Sequence, residues 1–433
     1  MGKDGMTNDK SSRIFDNLVS PYGLAAISCA LFWVACLIPP SIYSRYMSEP
    51  DLMFLDPKTI LFYMLCVASF VAGVWVLGWI FPSPPFTTCE YQTKIAPTFF
   101  LLGPLILAIV AAIFMLLYLV INYPILLIAV FAQQGGNAKD TIAFDVDGHF
   151  AFIPLSLIGI MWWAYWRHFD LGIQGWRKRL VRFSVAAALL CTVISSVITL
   201  NRSTLMLGFC GMTVLYMLRR AMRKQLSFAV ILRSGITIFL GIVLIFFSFS
   251  FLRGASNWDG QFNTLFGYTI ASYNRLAAIL NGSMHYPFGG QGIYLSSFAT
   301  RTRLLPFSYI LNPPEYLEVW GSEFGAVTQA GLDGRLIWSG TFGYIYSDLG
   351  WFSCLFLFGY GAIYSIVWNW MKSGKTLGVV LYPYFGFCIL FWLGGNYLLD
   401  SPVEVMSAVA LLLACYEFAF MKNTGKRQMP AVE

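Results

Sequence analysis

Long apolar runs alternate with short polar breaks along most of the chain. Runs nearly free of charge occupy residues 22–38, 59–81, 98–121, 150–166, 183–200, 204–218, 235–252, 350–371, 377–398 and 403–421. Each is long enough to cross ~30 Å of hydrocarbon, the shortest with help from tilt or the interface. The pattern predicts an all-α polytopic membrane protein of about ten transmembrane helices. The third run stays apolar through 123–131, past Pro124, where the helix is expected either to kink and run on or to re-enter.

Residues 253–349, between the seventh and eighth runs, form the one long segment outside them. Within it Phe262, Leu265, Phe266, Ile270, Tyr273, Ala277 and Leu280 recur at helical spacing, and Asn281-Gly282 follows as a stop. An amphipathic helix lying on the membrane or on the bundle is expected there. Arg275 falls on its other face, turned to a cleft or to water. Residues 338–350 are expected to form a half-helix dipping into one leaflet. The chain then divides into a tail (1–19), one transmembrane domain (20–421) that includes the 253–349 loop, and a second tail (422–433).

Composition agrees: 58% hydrophobic and 11% charged residues exclude a soluble domain. The polar lead before the first run and the lack of a small-residue cleavage site argue against a signal peptide. Of the 28 Lys and Arg, 19 lie on the side of both termini and 9 on the other. The positive-inside rule therefore puts the N- and C-termini in the cytoplasm and the long loop outside. This distribution explains the net charge of +7 as an orientation signal and argues against a nucleic-acid partner. The nine cysteines show no CxxC pair and no metal-site spacing with His.

The expected outer face carries the chemistry. Arg202 sits in the tight turn Asn201-Arg202-Ser203, at the positive end of a helix where amide donors also point out. It is either an anion ligand or an arginine snorkelling to lipid headgroups. The loop adds Arg253, Arg275, Arg301, Arg303 and Arg335. Arginine binds phosphate through paired planar hydrogen bonds and keeps its charge in any environment. Several converging on one cleft suit a pyrophosphate, whose departure they stabilise without a metal or other cofactor. Asp348, Glu323 and Asp333 are candidate bases for an acceptor hydroxyl. Trp258, Tyr273 and Trp320 are candidates for stacking on sugar rings, or interfacial aromatics. Asp145-Val146-Asp147 imitates a metal-holding DxD but reads better as a solvated loop, and His285 is a minor candidate base.

The layout resembles bacterial oligosaccharide repeat-unit polymerases of the Wzy type, which build O-antigen and exopolysaccharide. Asn201-Arg202-Ser203 opening a span, Arg253-Gly254 closing the next, and Gly343-Tyr344-Ile345-Tyr346-Ser347-Asp348-Leu349-Gly350 entering a late one carry the resemblance. The Arg-x10-Gly pattern of some members does not start at Arg253. The resemblance implies transfer of a growing glycan from undecaprenyl pyrophosphate to a lipid-linked repeat unit. That reaction belongs at the outer face of the bacterial cytoplasmic membrane, among membrane lipids and beside a chain-length regulator. An O-antigen ligase and a peptidoglycan-type glycosyltransferase share the plan. A lipid-linked oligosaccharide flippase, from a different class, would place charges mid-bilayer. Here the runs are almost charge-free away from their ends, Glu417 near the end of the last one excepted.

Overall fold

A computed structural model describes residues 17–82, 98–134, 152–170, 175–222, 226–255, 257–295, 314, 316–395, 397 and 401–426. Among these the chain is helical and has no strand. In order the helices are α1 (Pro21–Cys36), α2 (Pro40–Tyr46), α3 (Pro57–Ile80), α4 (Phe99–Asn122) and α5 (Pro124–Phe131). Next come α6 (Phe152–Asp170), α7 (Gly175–Ile198), α8 (Arg202–Met222), α9 (Phe228–Leu252) and α10 (Trp258–Leu280). The last are α11 (Tyr316–Gln329), α12 (Gly340–Leu349), α13 (Ser353–Lys372), α14 (Thr376–Leu390) and α15 (Ser401–Lys426).

This is a polytopic membrane protein. Seven of the described helical units are long and apolar enough to cross a bilayer, and eight if α1 and α2, bent by 91° at Leu37–Pro39, form one broken span. Every apolar run of the sequence holds a helix, yet the expected ten are not all spans by length and composition. α14 is only fifteen residues long, and α6 carries Arg167 and His168 in its last turn. At Pro124 the third run breaks into two helices. α5 starts there and packs Leu126, Ala129 and Val130 against Met115 and Leu119 of α4 and Ile198 of α7.

α14 is the hub. Nearly all of it is buried, and it packs against α1, α6, α8, α13 and α15. A helix apolar all round, with no polar stripe, has no face to offer water and belongs inside. α3 and α13 make the closest pairing, and glycine makes it possible. A Cβ on Gly73 would stand 1.9 Å from the Phe358 carbonyl oxygen, and one on Gly361 would stand 2.0 Å from that of Phe70. Small residues let backbones approach where no hydrophobic drive joins helices in lipid.

The two ends of the bundle differ. At one end Arg167 and Glu417 form a buried pair at 2.6 Å, shared with Thr376 and the Trp163 indole. Arg219 lies near it over the Trp166 ring at 4.0 Å. At the other end the described parts of the 253–349 segment fold onto the bundle. α10 forms as its apolar spacing predicts, capped by Asn257, whose side chain accepts from Gly260 N at 2.7 Å. It lies on the bundle, against α1, α2, α3, α9 and α12. A second small core seals the cap above it, with Met284, Tyr286, Ile293, Val319, Val327 and Ile337 at its centre.

Candidate functional site

Among the described residues, the capped end gathers its chemistry-bearing side chains into separate clusters rather than one cleft. The first forms where the end of α7, the start of α8 and the end of α9 meet the middle of α10. α7 stops at Leu200, whose positive φ of 49° turns the chain sharply, and the Asn201 side chain caps α8 by accepting from Thr204 N at 3.3 Å. This places Arg202 in the first turn of α8, facing α9 and α10. Arg253, at the C-cap of α9, arrives beside it.

Arg202 is buried, at 7% exposure, with its guanidinium carbon 3.5 Å from the centre of the Tyr268 ring and 4.3 Å from that of Phe246. Neither Nη1 nor Nη2 makes a hydrogen bond. Arg253 donates from Nη1 to the Tyr268 hydroxyl at 3.0 Å and from Nη2 to the Leu200 carbonyl at 2.6 Å, while its Nε is buried without a partner. No carboxylate among the described residues pairs with either arginine. Two neighbouring cations, Arg202 buried and Arg253 half-buried, thus stand in an aromatic setting with N–H groups unused. Burying charge unpaired is costly, and the unused N–H groups are donors that an anion would satisfy.

The second cluster surrounds Arg275, which is fully buried rather than turned to a cleft or to water. Nη1 and Nη2 bind the two Glu49 oxygens at 3.0 and 2.8 Å. The remaining donors go to the carbonyls of Ala271 and Asp333, at 2.9 Å each, and of Leu336. All five guanidinium donors are used, and none is left for a phosphate. The amphipathic reading failed here because the other face of α10 is covered too. The 332–338 strap and the turn around Glu49 lie over it.

Asp333 and Arg335 belong to that strap. Arg335 is exposed and bonds the Asp333 carboxylate at 2.6 Å. The Arg335 guanidinium beside Asp333 holds its carboxyl below the ordinary value, against the upward effect of burial. Arg335 also lines an open cup of about 380 Å³ with Arg45, Tyr46, Asn257, Asp259 and Asn263.

Asp348 forms a third cluster. Its Oδ1 accepts from Gly290 N and Gly292 N at 3.0 and 3.1 Å, and its Oδ2 from Leu295 N at 2.7 Å. The glycine turn at 289–292 thus cradles a carboxylate, with Gly290 and Gly292 at φ of 82° and 77°. Three backbone amides hold this carboxylate, and it in turn holds the loop. Glu323 is buried near Tyr286, Tyr294 and Tyr344, three rings within 6 Å of one another. Burial, and next the Glu323 charge, push the Tyr286 and Tyr294 hydroxyls up.

The aromatic candidates divide. Tyr273 is part of the core, edge-on to Phe32 at 5.2 Å and to Tyr63 at 5.8 Å, and is closed to a sugar. Its place in the apolar stripe of α10 explains this. Trp258 is 73% exposed, and Trp320 is half-buried against Phe324. His285 is exposed in its turn. Arg301, Arg303, Asp145, Asp147 and Cys89 lie outside the described residues, and those described hold no cluster of three or more metal-ligating side chains.

Sequence reasoning brought Arg202 and Arg253 forward but missed Glu49, Tyr268 and Phe246. Glu49 gives no signal within its Ser-Glu-Pro turn. Tyr268 carries a faint one, since it precedes Arg275 by seven residues and so shares its helix face. Compared with known proteins, the chain matches no family model, no curated protein and no solved structure.

Proposed function

We propose that this protein is a Wzy-type glycosyltransferase of the bacterial cytoplasmic membrane. In this reading it moves a growing glycan from undecaprenyl pyrophosphate onto a lipid-linked repeat unit. The observation that carries it is the buried, unpaired guanidinium of Arg202 beside Arg253. Its position supports the same reading: the cluster lies at a bundle end, where a lipid headgroup resides, and not mid-bundle as in a carrier. Both termini and the Arg219 end are then cytoplasmic, in a ten-span topology, and the capped end faces outward.

In the reaction the bond between the anomeric carbon and the pyrophosphate oxygen breaks. The acceptor hydroxyl oxygen bonds to that carbon, and its proton passes to a base. Lipid pyrophosphate leaves with the electron pair. Arg202 and Arg253 stabilise that departing charge in a setting of low dielectric, where fixed cations act strongly. Arg275 serves by holding the strap, and a chain-length regulator is the expected partner.

The test is the length profile of lipid-linked and surface glycans after deletion of the gene, with complementation by wild type and by Arg202→Ala. Collapse of the surface ladder to single repeats, restored by wild type but not by Arg202→Ala, is expected. Long chains retained on the lipid carrier would instead make it a ligase. Single repeats trapped on the inner leaflet would make it a transporter.

A further inference from the structure

Tyr268 touches both arginines, by different chemistry. Its ring face lies under the Arg202 guanidinium, 3.5 Å from centroid to carbon, and its hydroxyl accepts from Arg253 Nη1 at 3.0 Å. Trp338 backs the ring at 4.7 Å and Phe246 meets it edge-on at 6.0 Å, so it has little room to turn. Two cations this close repel each other. Here an aromatic ring lies between them, its face attracting one and its oxygen holding the other.

Resting on the pyrophosphate reading, we infer that Tyr268 is a positioning residue that joins Arg202 and Arg253 into one two-pronged clamp. The ligand it fits carries two adjacent anionic groups, a diphosphate rather than a monophosphate. Arg202 presents Nη1 and Nη2 unused, a complete fork for one phosphate. Arg253 keeps a spare N–H on each Nη and an unbonded Nε, a second set of donors for the next phosphate. A monophosphate fills one prong and leaves the other cation without a counter-charge. The strap held by Arg275 takes part, because it delivers Trp338 to the ring about two helical turns, or roughly 10 Å, along α10.

The test uses the full-length protein in lipid nanodiscs, with labelled inorganic pyrophosphate and inorganic phosphate in equilibrium dialysis. Wild type should prefer pyrophosphate. Tyr268→Phe keeps the ring under Arg202 but removes the oxygen that holds Arg253. It should weaken pyrophosphate binding about ten-fold, the effect of one hydrogen bond to a charged group, and leave phosphate binding almost unchanged. In that background Arg253→Ala should add little further loss, whereas Arg202→Ala should add its full effect. An unaltered melting temperature of Tyr268→Phe shows that the loss is local. Wild-type preference in Tyr268→Phe, or full additivity with Arg253→Ala, would overturn the clamp. Undiminished pyrophosphate binding in Arg202→Ala and in Arg253→Ala would overturn the pyrophosphate reading itself.

Discussion

Arg275 and Glu49 form a two-pronged ion pair, with no exposure of either side chain, that ties α10 to the turn after α2 and to the 332–338 strap. Glu49 Oε1 also accepts from Tyr43 and from Asn274 Nδ2, and Oε2 accepts from Asp333 N at 2.7 Å. Every partner of this pair is supplied by the protein. Removing one member leaves the other charged and buried, which costs about 3–5 kcal/mol. Glu49→Ala and Arg275→Met should each lower the melting temperature of the detergent-solubilised protein markedly. A melting temperature within a degree or two of wild type would contradict the burial of the pair.

Arg202 should respond with the opposite sign. Its Nη1 and Nη2 have no hydrogen bond to lose, and an apolar side chain of similar length keeps the contact with the Phe246 and Tyr268 rings without a buried charge. Arg202→Met should leave stability unchanged or raise it by up to about 2 kcal/mol, while polymer is lost. Thermal melting and glycan length measured on the same variant check this. Arg202→Met as destabilising as Arg275→Met would mean that Arg202 is structural.

Asp348 is expected to act as a latch. Asp348→Ala frees three amides, and Asp348→Asn supplies weaker, uncharged acceptance. Losing a hydrogen bond to a charged acceptor costs about 1.5–3 kcal/mol, so Asp348→Ala should open the 290–295 turn. Hydrogen exchange of that turn is the measurement, and Asp348→Asn should fall between alanine and wild type. Polymer abolished by Asp348→Asn with the turn fully protected would restore Asp348 as the base.

The Asp333–Arg335 bond sets a pH dependence. The Asp333 carboxyl lies below its ordinary value, so its contribution is present above the unfolded value of about 3.9 and is lost as pH falls through the folded value. Because Arg335 is 74% exposed, solvent screening keeps the effect small. A shallow drop in melting temperature below about pH 4 should flatten in Asp333→Asn, with stability near neutral pH slightly lower. The same slope in both proteins would show that the pair does not contribute.

The α3–α13 crossing should tolerate no side chain. Gly73→Ala or Gly361→Ala forces two backbones apart and should cost about 1–3 kcal/mol by overpacking. Gly359→Ala, on the same helix with nothing within 4 Å of its Cβ, is the control and should melt like wild type.

The helical, membrane-spanning character of the chain was legible in the sequence because it follows from local apolarity and backbone chemistry. In lipid each segment must satisfy its own peptide groups, so an apolar run becomes a helix whatever its neighbours do. α10 was legible for a similar reason, through its spacing and its Asn281-Gly282 stop, though its start at Trp258 behind Asn257 was not, and Arg202 through its place at a helix start. Tertiary structure decided the rest. It gave Arg275 to Glu49, 226 residues away, gave Asp348 to a glycine turn, and put Tyr273 into the core. It also left Arg202 without a partner. Such outcomes depend on which distant segment covers a given face, and no periodicity records that. Sequence alone placed the arginines near one end of the bundle; only packing separated the one whose five donors are satisfied from the two that keep N–H groups unused.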